Sequence, residues 1–134
     1  MDSTQIIITR LLKEVQEGQT IALGPGIPQL IKPHLEASIH AVDLTPDTES
    51  QSVQLAVVEA EEVSQQGDFC LAPGQALPNL EADQWIVAAP HTRADGAPRI
   101  VQTCQLPISD AGCASTIITD LSVIRIQELG LVLK

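Results

Sequence analysis

The chain has very little aromatic material: it has no tyrosine, and Phe69 and Trp85 are its only aromatic residues. Charged residues are also sparse, at 18% of the chain, whereas hydrophobic residues make up 44%. This balance is typical of a compact globule and argues against general disorder. A core with so few rings must be built from Ile, Leu, Val and Ala, the usual filling of a β-sheet that is covered on both faces.

Positive charge is also in short supply. Seven Lys and Arg residues stand against 17 Asp and Glu residues, which gives a formal net charge of -10, and the basic residues form no cluster. Nucleic acids and anionic membranes both require a basic surface, so the composition predicts neither as a partner. An anionic cofactor would have to be held by local dipoles or by the few cations.

Long apolar runs and paired cysteines are missing as well. No run approaches the ~18 to 20 residues of a transmembrane helix, and Asp2 stands where a secretory signal needs a positive charge. The three cysteines are an odd number at wide spacing, which suits a reducing compartment and predicts a cytoplasmic protein. No pair among the cysteines and the three histidines has the spacing of metal ligands, so we expect no metal. These six residues are Cys70, Cys104, Cys113, His34, His40 and His91.

A length of 134 residues predicts one domain, spanning residues 1–134. Asp2 or Ser3 is expected to cap a helix with apolar positions at Ile7, Leu11 and Val15 that ends at Gly18. A strand at 20–23, a glycine loop, a helix of about two turns from Pro28 and a strand at 38–44 follow. That order predicts a right-handed parallel unit. The polar segment 45–52 is expected to be an exposed linker.

The remainder of the chain has more strand than helix signals. We expect a strand at 53–60 that leads into a hairpin turning at Gln66 and Gly67, then a loop or short helix at 75–83. Further strands are predicted at 85–90, 100–106 and 121–127, with a turn at Asp95-Gly96 and, after a turn at Gly130, a short final strand. The sequence therefore predicts an α/β fold with a mainly parallel sheet and an added hairpin or two.

The stretch "LGPGIPQL" contains the glycine loop, with Gly24 and Gly26 between a strand and a helix. Ligands bind at this place in parallel units, because free backbone amides and the helix dipole converge there. Glycine also allows a close approach to the main chain. The loop matches neither a phosphate-binding Walker loop nor a dinucleotide fingerprint. A ligand cradle and a plain tight turn both remain open on these residues.

Three stretches together resemble the beta subunit of class I coenzyme A transferases, the 3-oxoacid type. "LGPGIPQLI" is similar to that family's L-G-x-G-I-P-x-L, and residues 91–134 are similar to its carboxyl-terminal segment, with H-T-x-x-D-G-x-P-x-I, I-I-T-D-L and G-L-V-L. More loosely, residues 53–73 look like its V-D-L-x-V-L-G-A-x-Q-V-D-x-x-G-N-L-A pattern. The resemblance implies a three-layer α/β domain of the coenzyme A transferase and NagB/RpiA-like kind, reduced in size, and coenzyme A as the cofactor.

The chain departs from that family where the catalytic residue is expected. The family's Ser-Glu-Asn-Gly motif, whose glutamate attacks the acyl-CoA thioester, is absent, and the missing material falls at 45–52. By its position at the end of the second predicted strand, Asp43 is the residue that would correspond to this catalytic glutamate. Its side chain is one methylene shorter than that of glutamate. Misplacement of about 1 Å can reduce a rate on the order of a hundredfold. Gly24, Gly26, Arg93 and Arg99 are the candidate cofactor contacts, the two arginines as partners for a phosphate.

Other polar residues are expected to have structural roles only. Glu59, Glu61 and Glu62 are expected to form a solvated acidic face, and the segment from Ser115 to Asp120 is expected to cap and enter a strand. Three functions therefore stay open. The chain is a shortened subunit that transfers coenzyme A through Asp43, a degenerate subunit that binds or assembles without transfer, or a ligand-free interaction module. A second copy of the chain or an alpha-like subunit is the expected partner.

Overall fold

The computed structural model describes residues 2–44, 52–64, 67–70, 81–93, 95–101 and 114–126. The first part contains α1 (Ser3–Leu12), β1 (Thr20–Leu23), a 3-10 helix (Ile27–His34) and β2 (His40–Asp43). It is followed by β3 (Ser52–Val58), β4 (Glu62–Ser64), β5 (Phe69–Cys70) and β6 (Glu81–Ala88). The last described elements are β7 (Ile100–Val101), β8 (Thr116–Ile118) and β9 (Val123–Arg125).

The strands form two sheets. The larger has the order β2-β1-β3-β6-β8-β9, and it is parallel except for the antiparallel pair β8–β9. The smaller has the order β5-β4-β7, with β4 antiparallel to β5 and parallel to β7. The prediction of an α/β fold with a mainly parallel sheet and an added hairpin is confirmed.

Both faces of the large sheet are covered, because its strands alternate apolar side chains between the two faces. On one face, α1 and the 3-10 helix pack over an aliphatic cluster that includes Ile21, Leu23 and Leu55. On the other face, Ala22 and its neighbours pack against residues of the small sheet and of β6. The two aromatic rings, Phe69 and Trp85, meet there with centroids 5.8 Å apart. The aliphatic composition thus correctly predicted a sheet that is covered on both faces.

The first helix begins as predicted and ends earlier. The Asp2 side chain accepts a hydrogen bond from the Gln5 amide at 2.8 Å, which is the expected N-cap. The predicted end at Gly18 is wrong, because α1 ends at Leu12. Beyond it the amides of Lys13 and the next two residues bond three residues back, which tightens the last turn. Gly18, with φ of 79°, belongs instead to the turn before β1.

Strand structure also occurs in a segment that was predicted to be a loop or short helix, 75–83, and in the predicted cap and strand entry from Ser115 to Asp120. Residues 81–83 belong to β6, because Ser52 and Val53 pair with Glu81 and Ala82 and extend the ladder. The segment from Ser115 to Asp120 contains β8, which lies between β6 and β9. The predicted linker at 45–52 is wrong at its last residue, because Ser52 begins β3. Residues 45–51, the Gln66 turn position, the segment 71–80, Cys104, Cys113 and everything after 126 lie outside the described residues.

Candidate functional site

The carboxyl ends of the parallel strands meet at one edge of the large sheet. The chain places β2 on one side of β1 and β3 on the other, so the direction of strand addition reverses between β1 and β3. In open α/β sheets, ligands bind outside the carboxyl ends of the strands at such a switch point. Gly24–Gly26 follow β1 and Glu59 follows β3, so these residues form the candidate site.

The glycine loop is built into the sheet. The Gly24 amide donates to Val57 O at 2.8 Å, and a Cβ at Gly24 would lie 3.3 Å from the same oxygen. The side-chain nitrogen of Gln29 donates to Leu23 O at 2.9 Å and to Gly24 O at 3.2 Å. The Gly24 amide therefore extends the β1–β3 ladder, and this half of the loop is a tight turn.

The Glu59 carboxylate fills the other half of the loop. Its Oε1 accepts a hydrogen bond from the Ile27 amide at 2.9 Å, at the first residue of the 3-10 helix. Gly26 has φ of 90°, and a Cβ there would lie 2.5 Å from the same carboxylate oxygen. Position 26 thus needs glycine twice, for its backbone conformation and for the space that Glu59 occupies.

The expected solvated acidic face is wrong. Glu59 and Glu61 are half-buried, and Glu62 in β4 is buried, with 5% of its surface exposed. Arg93 approaches Glu62 at 3.9 Å. Sequence reasoning missed the Glu59 contact because its partner at Ile27 is distant in the chain. The available signal was a carboxylate directly after a buried strand that adjoins a glycine loop.

Asp43 lies at the same edge as the loop. It ends β2 and is the Cα partner of Leu23, the last residue of β1. Its side chain is 53% exposed and forms an ion pair with Lys32 in the 3-10 helix. The hydrogen bond from Lys32 lowers the pKa of the Asp43 carboxyl, and a hydrogen bond from Gln29 acts in the same direction. The structure therefore places Asp43 beside Leu23, the residue before the glycine loop; its catalytic role stays a prediction.

The two arginines lie around the Asp95-Gly96 turn, and they differ in burial. Arg99 is 7% exposed; its Nε donates to Pro90 O at 2.7 Å and its Nη1 donates to Ala60 O at 2.6 Å. Arg93 is 22% exposed, and its Nη2 lies 3.2 Å from Asp95. Arg99 thus ties together the chain after β3 and the chain after β6. The phosphate role of both arginines stays a prediction.

Asp120 is a further carboxylate at this edge. Its Oδ1 accepts the His91 amide at 2.8 Å, and its Oδ2 accepts the Ser3 hydroxyl at 3.3 Å. The bond from the His91 amide lowers the pKa of this carboxyl. Because Asp120 binds the main chain of His91, it links the ends of β6 and β8.

Within the ranges that the structure describes, no three His, Cys, Asp or Glu side chains lie close enough to hold a metal ion. Over the same ranges, no helix has the length and apolar character needed to cross a bilayer.

Comparison with known proteins points to one group. No family model matches the chain. The probable coenzyme A transferase subunit beta of Bacillus subtilis is 23% identical over 181 residues, which covers 96% of this chain and 83% of that protein. Since 181 residues exceed the length of this chain, the relative carries residues that this chain lacks.

The solved structures support the fold. RipA from Yersinia pestis matches with a TM-score of 0.64 at 11% identity, over 95% of this chain, and a substituted variant of RipA matches with 0.65 at 12%. In both comparisons the chain spans 47% of the RipA chain, or about half its length. The fold implied by the resemblance is therefore confirmed. The match to a beta subunit along nearly the whole chain confirms the resemblance itself, and this chain is coenzyme A transferase beta-subunit-like.

Proposed function

We propose that the protein is a non-transferring coenzyme A transferase beta-like subunit. It keeps the scaffold that serves an acyl-CoA, assembles with an alpha-like subunit, and lacks the carboxylate chemistry that moves coenzyme A from an acyl-CoA to an acid. The resemblance and the similarity to a beta subunit support the scaffold and the ligand class, coenzyme A. The cytoplasmic location expected from the cysteine pattern is part of the same proposal.

The contact between Glu59 and the glycine loop carries the proposal. Attack on a thioester builds negative charge on the carbonyl oxygen, and backbone amides aimed at that oxygen are the usual stabilising groups. In this chain the Ile27 amide donates to Glu59 at 2.9 Å, and the Gly24 amide donates to the sheet. Two of the three backbone amides of the loop, those of Gly24 and Ile27, are thus already engaged.

The environment of Asp43 also favours a site without transfer. A nucleophilic carboxylate must lie within about 3 Å of the carbonyl carbon and must be poorly stabilised in its free form. Asp43 is instead stabilised by Lys32 and is half-exposed on an edge strand. Its lowered pKa indicates a carboxylate that is less basic than usual, and a less basic carboxylate is a weaker nucleophile.

The name of the Bacillus subtilis relative supports an alpha-like partner. That protein is named as the beta subunit of a probable coenzyme A transferase. We infer that this chain pairs with a separate alpha-like chain. A second copy of this chain is the competing arrangement, and sedimentation distinguishes the two by mass.

The test is an acyl-transfer assay with chemical trapping. The protein, alone and mixed with an alpha-like subunit, is incubated with an acyl-CoA and an acceptor acid, and its peptides are mapped by mass spectrometry. We expect no acyl adduct and no new acyl-CoA, together with a stable complex with the alpha-like subunit. An acyl adduct on Asp43 that disappears in Asp43→Asn and persists in the exposed-site control Asp83→Asn would refute the proposal.

A further inference from the structure

The Glu59 carboxylate stands where an outside ligand of the glycine loop would bind. Three observations converge on it. Its Oε1 accepts the Ile27 amide at 2.9 Å, the same oxygen lies 2.5 Å from where a Gly26 Cβ would be, and the side chain is half-buried. A carboxylate held by a loop amide at the β1–β3 switch point has the contacts that a bound anion would have.

We propose that Glu59 is an internal occupant of the glycine loop and that it keeps coenzyme A out of the loop. The inference rests on the proposed function, because coenzyme A is the ligand class that this function implies. In the pattern that residues 53–73 resemble, the position of Glu59 is a glycine, which has no side chain to place in the loop. The carboxylate also adds a negative charge at the point where a strongly anionic ligand would approach, in a chain that already carries a net charge of -10.

Three variants separate occupancy from charge. Glu59→Gly removes both the side chain and its charge, so it vacates the Ile27 amide. Glu59→Gln removes the charge and keeps a side chain of the same size, with an oxygen that accepts the same hydrogen bond. Glu61→Gln removes one charge two residues away, from a side chain of similar exposure. Glu59→Ala replaces the glycine variant if thermal unfolding shows that the glycine variant is not folded.

The experiment measures coenzyme A binding by calorimetry and hydrogen exchange at the Ile27 amide. We expect Glu59→Gly to bind coenzyme A at least about tenfold more tightly than the wild type. Glu59→Gln and Glu61→Gln are expected to bind within about threefold of the wild type. Exchange at Ile27 should be faster in Glu59→Gly without coenzyme A, because the amide has lost its acceptor.

Several results would overturn the proposal. Equal binding by the wild type and a folded Glu59→Gly, or no binding by either, would show that Glu59 is not the obstacle. A gain in Glu59→Gln as large as in Glu59→Gly would assign the effect to charge and not to occupancy. Unchanged exchange at Ile27 would show that the contact is absent in solution. The proposed function fails by a different readout, an acyl adduct on Asp43 of the wild type.

Discussion

The role of Arg99 can be decided by replacing it with an uncharged side chain of similar length. Arg99→Met keeps most of the buried stem and removes the donors to Pro90 O and Ala60 O. An unsatisfied buried acceptor costs about 1–3 kcal/mol. The hydrogen bond to Ala60 O is buried, whereas the bond to Pro90 O is only partly buried. After the substitution, water can therefore replace part of the bond to Pro90 O. We therefore expect a loss of about 2–4 kcal/mol in the free energy of unfolding.

The assay is urea unfolding followed by the fluorescence of Trp85, the only tryptophan of the chain. For a chain of this size the loss corresponds to a fall of roughly 6–16 °C in Tm. Lys32→Met is the control. Its ion pair with exposed Asp43 is expected to contribute about 0–1 kcal/mol. If Arg99→Met unfolds within 1 kcal/mol of the wild type, roughly the error of a good measurement, the structural role assigned to Arg99 is refuted.

Two further predictions concern the loop and acid unfolding. Gly26→Ala should destabilise the wild-type protein by about 1–3 kcal/mol. In the Glu59→Gly protein the same substitution should cost less, because the clash with Glu59 is absent and only the backbone strain remains. Additive losses in urea unfolding would contradict this coupling. Arg125 binds both oxygens of Glu14, at 2.5 and 2.8 Å, and its hydrogen bond lowers the pKa of Glu14. The stability difference between the wild type and Glu14→Gln should therefore be fully present above the ordinary pKa of 4.5 and should shrink as the pH falls through the lowered value; a difference that is constant from neutral to acid pH would argue against it.

The sequence predicted best those elements that are fixed by local patterns. The strand Thr20–Leu23 was predicted residue for residue, because a short apolar run between Gly18 and the glycine loop has few alternatives. The hairpin of β4 and β5 was predicted from its turn signal. The polar start of β6 was missed because pairing with Ser52 and Val53, and not its own composition, makes it a strand.

The site was only partly predictable for a similar reason. The loop and its place in the fold followed from glycine content and element order. The partner of the loop did not, because Glu59 is 32 positions from Ile27 and no local pattern links them. The burial of Glu62 likewise depends on β4 joining a second sheet, which the run of acidic residues conceals.

The parallel ladder has a consequence for how the polypeptide reaches its native state. Val53 pairs with Ala82, and Ile86 pairs with Thr116, so each ladder joins residues that are about thirty positions apart. Closing such loops costs chain entropy before any ladder hydrogen bond compensates for it, so folding should be slow, with a rate set by such closures. Until they occur, the apolar strands β3 and β6 are exposed, and we expect refolding yield to fall with protein concentration.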